Sequence, residues 1–172
     1  MEKMLKLEGK KFKSFRNDKN YFEKNYQYEV EEITPKIFDE LLQFQNQAEE
    51  DLKERVESQN FAENDDSNFK FALKNWDKFN LCGFVVRVDK KIVSYSIKEI
   101  IDEKNIISPL AKADYNFKGA NQFTYWYEAK INLERGFFEE NICDDVGEEN
   151  LRFFKEHLQP KTMLKKFIVT YK

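Results

Sequence analysis

At 172 residues with a formal net charge of -3, the chain is long enough to build a core without staples. Its two cysteines and one histidine exclude a disulfide framework and a zinc site, so no metal is expected. No apolar run approaches the roughly 20 residues that cross a bilayer, and the basic first 24 residues lack the apolar stretch of a signal peptide. The chain therefore reads as a cytoplasmic globular protein, with residues 1–172 as one domain.

In chain order, residues 9–24 place Phe12, Phe15 and Phe22 on one helical face. Thr34 then reads as an N-cap with Pro35 at the first helical position, and Phe38, Leu41, Leu42, Gln45, Ala48, Leu52 and Val56 follow at helical spacing. Residues 58–68 (SQNFAENDDSN) are rich in turn formers and read as an exposed loop, with a third helix starting at Ser67 or Asn68 and carrying Phe69, Ala72, Leu73 and Trp76.

From there the pattern changes. Leu81 to Val88 is rich in β-branched residues. Residues 92–101 alternate, with Val93, Tyr95 and Ile97 on one face, and Asp89, Lys90 and Lys91 make the hairpin connection. A strand over 106–111, a helix carrying Phe123, Trp126, Tyr127 and Ile131, a short strand over 137–141, a helix over 147–157 and a closing strand over 163–170 complete the order. Helices, an antiparallel run of strands, and a later strand and helix make this an α/β (α+β) chain with a mixed, mainly antiparallel sheet flanked by helices.

Three groups of residues carry candidate chemistry. Lys118, Gly119 and Ala120 lie between a strand and a helix N-terminus, where free N–H groups and the helix dipole favour an anion such as a donor phosphate; the alternative is a turn that only starts the helix. Asp144 and Asp145 precede Gly147, so one carboxylate can cap the next helix while the other faces a substrate amine, or both serve the cap alone. Residues 1–24 carry eight Lys/Arg against four Asp/Glu, and residues 29–66 carry thirteen acids against three bases. Lys10, Lys11, Lys13 and Arg16 are thus candidate nucleic-acid contacts, against the plainer reading of two oppositely charged solvated faces.

Several blocks resemble one family in order and spacing: GKKFKSFRN (9–17), YEVEEITP (28–35), LCGFVVRVDKKIV (81–93), KADYNFKGANQ (112–122) and DDVG (144–147), with Leu151, Arg152, Lys155 and Pro160 beyond them. They are similar to the C-terminal region of bacterial phosphatidylglycerol lysyltransferase and its relatives. That resemblance implies a GNAT-like acyltransferase fold and an acyl or aminoacyl transferase activity, with acyl-CoA or aminoacyl-tRNA as donor. Lys118, Gly119 and Ala120 would hold the donor phosphate, and Asp144 and Asp145 would face the acceptor. It further implies a separate N-terminal GNAT-like half or self-association as partner.

The sequence departs from the family pattern where Ala111 replaces a glutamate and Ile142 and Cys143 replace an Arg-Glu pair. Weakened catalysis is expected, with only Asp144, Asp145, Asp114 and Tyr115 left as proton acceptors. A binding or scaffolding module that has kept the fold and lost the chemistry, or a tRNA-contacting domain, is the alternative.

Overall fold

The computed structural model describes residues 1–55, 59–167 and 169–170, with the backbone alone over 52–55 and 59–65. Its strands are β1 (Tyr28–Glu32), β2 (Leu81–Val88), β3 (Lys91–Ile100), β4 (Asn105–Ala113) and β5 (Glu139–Asn141), joined in that order into one sheet. The first four run antiparallel, and β5 pairs parallel to β4. The helices are α1 (Glu2–Lys6), α2 (Lys13–Asn25), α3 (Phe38–Arg55), α4 (Gln59–Lys74), α5 (Ala120–Glu134) and α6 (Glu149–His157).

Both faces of the sheet are covered. On one, Leu41 of α3 and Phe69 of α4 pack with Val85, Tyr95 and Ile97; on the other, Phe22 of α2 and Ala120 and Phe123 of α5 pack with Phe84, Val86 and Val93. A third cluster joins Leu7, Phe12 and Phe15 of the N-terminal segment to Leu158, with Trp126 and Phe154 against it. The N-terminal segment is thus folded against α5, where Trp126 Nε1 donates to the Leu5 carbonyl at 3.1 Å.

The hairpin turns on Asp89 and Lys90, whose φ values of 50° and 67° are those of a two-residue mirror-image turn. Lys91 is already the first residue of β3. Two register shifts bend the sheet. Val86 pairs with Ser94 while Arg87 pairs with Ile92, so Val93 is an extra residue and falls on the α5 side, not on the face of Tyr95 and Ile97 as the alternation suggests. Ile97 pairs with Leu110 and Glu99 with Ile107, which inserts an extra residue into β4 around Ser108 and Pro109.

Three other sequence expectations are corrected. The loop expected over 58–68 is helical from Gln59 onward, so the third helix starts well before Ser67; Ser58, and Val56 of the preceding helix, lie outside the described residues. Burial of Phe69 and an Asp66 to Lys70 ion pair of 2.6 Å outweigh the low helix propensity of Asn60, Asn64, Asp65 and Asn68. Thr34 makes no side-chain cap; Pro35 opens a 3₁₀ turn over Pro35–Ile37 that leads into α3. The closing strand expected over 163–170 is not formed among the described residues, and Leu164 and Phe167 are exposed.

Candidate active site

The groups singled out in the sequence do not converge. Gly119 takes φ +86° at the N-terminus of α5, as a glycine turn requires, but it is buried rather than open to a cleft. An added Cβ there would lie 2.0 Å from the Asp18 carbonyl oxygen and 3.2 Å from Phe22 Cβ, both on α2. Lys118 Nζ lies 4.8 Å from the centroid of the Tyr21 ring, also on α2. The turn is therefore roofed by the N-terminal helix.

Asp145 accepts the Gly147 N–H at 3.0 Å and an Arg152 Nε–H at 2.5 Å; the guanidinium holds its carboxyl down at about 2. It shapes the turn before α6 without capping it, since the cap position is Glu148 and carries no side-chain bond. Asp144 pairs with Lys166 at 2.5 Å. The buried Lys155 draws this loop onto α6 by donating to the Ile142 and Asp144 carbonyls, each at 2.6 Å. The Cys143 thiol is exposed at its surface but raised by the desolvation its neighbours impose, so it is no thiolate nucleophile. In the basic arm Lys10, Lys11 and Lys13 are exposed, whereas Arg16 turns inward to the Leu7 and Gly9 carbonyls and fastens the link between α1 and α2.

The group that does converge lies between β3, β4, β5 and α5. Polar residues recur every second position on β3 and every fourth on α5, steps of about 6.7 Å and 6.0 Å, so they meet rung by rung. Ser94 Oγ meets Thr124 Oγ1 at 2.6 Å, Ser96 donates to Glu128 Oε1 at 2.8 Å, and Lys98 donates to Asn132 Oδ1 at 2.8 Å. Glu128 Oε1 also accepts from Ser108 at 2.9 Å and lies 3.3 Å from Lys98 Nζ.

Ser108 sits at the bulge of β4, one residue past the last β5 pair, Ile107 with Asn141. From there β4 runs on to Ala113 while β5 has ended, so the two strands part. Pro109, which has no N–H to leave unpaired, occupies this uncovered edge. At the apex Ser108 Oγ also lies 2.5 Å from Glu140 Oε1. One hydroxyl hydrogen cannot serve two carboxylates, so a proton on Glu140 completes the contacts. Consistently, burial and then the charge of Glu128 push the Glu140 carboxyl up to about 8. Burial, with Glu128 and Glu140 next, also raises the Tyr125 hydroxyl beside them. Sequence reading missed this cluster, although the two polar stripes, 94/96/98 and 124/128/132, were its signal.

The family described as phosphatidylglycerol lysyltransferase, C-terminal, matches residues 1–170. The chain belongs to this family. A similar structure is the C-terminal domain of a putative lysylphosphatidylglycerol synthetase from Agrobacterium fabrum, 17% identical with a TM-score of 0.64 over 91% of this chain and 54% of that one. A conserved protein of unknown function from Bacteroides thetaiotaomicron is 28% identical, with a TM-score of 0.83, over 94% of this chain and 54% of that one. The chain thus spans about half the length of both. The PaiA N-acetyltransferase of Thermoplasma acidophilum, solved with coenzyme A, is 10% identical with a TM-score of 0.56 over 76% of this chain and 87% of that one, a likeness of fold alone. The fold is that of the GNAT acetyltransferases. No curated protein matches the sequence. Among the described residues no helix is long and apolar enough to cross a membrane.

Proposed function

We propose that this chain is an acyl-transfer domain that takes its acyl group from aminoacyl-tRNA, with the reaction at the parting of β4 and β5 and Glu140 as the proton acceptor. The observation that carries the proposal is the convergence at one point of a strand bulge, an ended β5 and a carboxyl whose affinity for protons lies close to neutral pH. A general base works best when its pKa lies near the working pH. The attacking hydroxyl or amine forms its bond to the ester carbonyl carbon and passes its proton to Glu140. The bond to the ribose oxygen then breaks, and that oxygen takes the proton back. Backbone N–H groups on the uncovered edge of β4 are the donors available to the carbonyl oxygen.

The roofed turn at Lys118, Gly119 and Ala120 speaks against the pyrophosphate of acyl-CoA as an occupant, and Asp145, held at about 2, is too weak a base for the acceptor. Lys10, Lys11 and Lys13 are free to meet tRNA phosphates. With only about a tenth of Glu140 ionised at pH 7, turnover is slow, in keeping with the losses at Ala111, Ile142 and Cys143.

The test is a transfer assay with aminoacyl-tRNA and with acyl-CoA. Turnover is expected with the first alone, rising about tenfold per pH unit up to pH 7 and about fivefold more by pH 8, and falling about 10²- to 10⁴-fold in Glu140→Gln. Asp144→Asn and Asp145→Asn should leave it little changed. Loss of turnover in either aspartate variant, with Glu140→Gln active, would restore the acceptor role to that aspartate. No turnover with either donor, alongside salt-sensitive tRNA binding, would favour a module that has kept the fold without the chemistry.

A further inference from the structure

On the α5 side of the sheet, over β1, β2 and β3, lies a cavity of about 310 Å³ whose Lys98 adjoins the polar cluster through Glu128. Its floor follows from strand pairing: Glu32 lies opposite Phe84, and Cys82 opposite Lys98. Its wall follows from helical spacing, since Tyr127, Ile131, Glu134 and Arg135 are four, seven and eight residues apart along one face of α5 and its end.

We infer that this cavity binds a free α-amino acid with an apolar side chain. Lys98, only 1% exposed, has three N–H groups and two acceptors, Asn132 Oδ1 and Glu128 Oε1, among the described residues. Its Nζ lies 5.5 Å from the ring centroid of the cavity's Phe84, and the buried Asn132 Nδ2, behind the lining, has no partner among the described residues. A buried donor left without an acceptor is costly, and a ligand carboxylate supplies one.

The lining charges are Lys98 and Arg135 against Glu32 and Glu134, two of each sign, with Arg135 and Glu32 3.5 Å apart. A plain anion would meet the two glutamates unfavourably, and a plain cation the lysine and arginine. A zwitterion gives each sign its complement. Val30, Phe84, Tyr127 and Ile131 then supply the apolar surface for its side chain. The inference does not need the proposed reaction, although Lys98 is shared with the polar cluster through Glu128.

Cys82 lines the cavity and is half-buried, so its alkylation reports occupancy once the exposed Cys143 is removed as Cys143→Ser. The probes are phenylalanine, 3-phenylpropionate and phenethylamine, each titrated through the millimolar range that a ligand of this size reaches. Phenylalanine should slow iodoacetamide labelling of Cys82 about fivefold at four times its dissociation constant. The two analogues should protect far less. Ile131→Trp, which fills the cavity from the helix side, should abolish protection while keeping the circular dichroism of the parent; Val30→Trp does the same from the sheet should that variant fail to fold. The inference falls if phenylalanine gives no protection, if either analogue protects as well, or if protection survives the filled cavity.

Discussion

Replacing Gly119 by alanine should destabilise the protein by about 4 kcal/mol or more, at the rare end for a single substitution. Two costs add. A residue with a Cβ is strained at φ +86° by about 1 kcal/mol, and that Cβ would stand 2.0 Å from the Asp18 carbonyl, which no real contact allows. The obstacle is backbone on α2, so relief requires moving the whole helix and pulling its Phe22 ring off those of Tyr28 and Phe123, whose centroids lie 5.7 and 5.0 Å from it. Gly9 is the control. It has the same φ, +86°, with ψ 175° in a region that glycine alone takes easily, but nothing within 4 Å, so Gly9→Ala should cost about 1 to 3 kcal/mol from backbone strain alone. Denaturant unfolding of both variants measures the difference. A Gly119→Ala protein within 1 kcal/mol of the parent would mean that α2 does not hold the turn in solution.

Stability should fall as pH rises from about 4.5 to 8, by up to roughly 1.4 kcal/mol per pH unit. Glu140 holds its proton in the folded protein up to about 8 and releases it near 4.5 when unfolded. Between those values the folded state binds one more proton, so each rise in pH favours unfolding; below 4.5 both states are protonated and the contribution is constant. Glu140→Gln keeps the shape and removes the titration. It should flatten this slope and leave the variant more stable than the parent at pH 9, as thermal melts across pH will show. Parallel curves for the two proteins would mean that the carboxyl is ionised in the fold.

The strands of the hairpin and the helix carrying Phe123 were legible because their apolar periods are uninterrupted and the turn between the strands is short. The face of Val93 was not, since one extra residue at a bulge inverts everything a two-residue period implies. Residues 59–68 look like a loop by composition, and the burial of Phe69 by partners distant in sequence, with the Asp66 to Lys70 pair, outweighs that composition. The polar cluster was hidden for a related reason. Ser94, Ser96 and Lys98 alternate with apolar residues, the usual mark of a solvated face, but β3 lies mid-sheet with helices on both sides. Glu140 stood in a short acidic strand with no motif around it, and its role depends on where β5 stops.

The rungs between β3 and α5 also act as a vernier. Helix and strand graduations differ by about 0.7 Å per rung, so they coincide over three marks and drift out of reach beyond them. Sliding α5 by one turn against β3 would set Thr124 opposite Ser96 and Glu128 opposite Lys98, and would leave Ser94 and Asn132 facing apolar neighbours. An oily seam tolerates such a slip; this one has a single reading, and the end of α5 that meets the cavity is thereby held in step with the end that meets the turn.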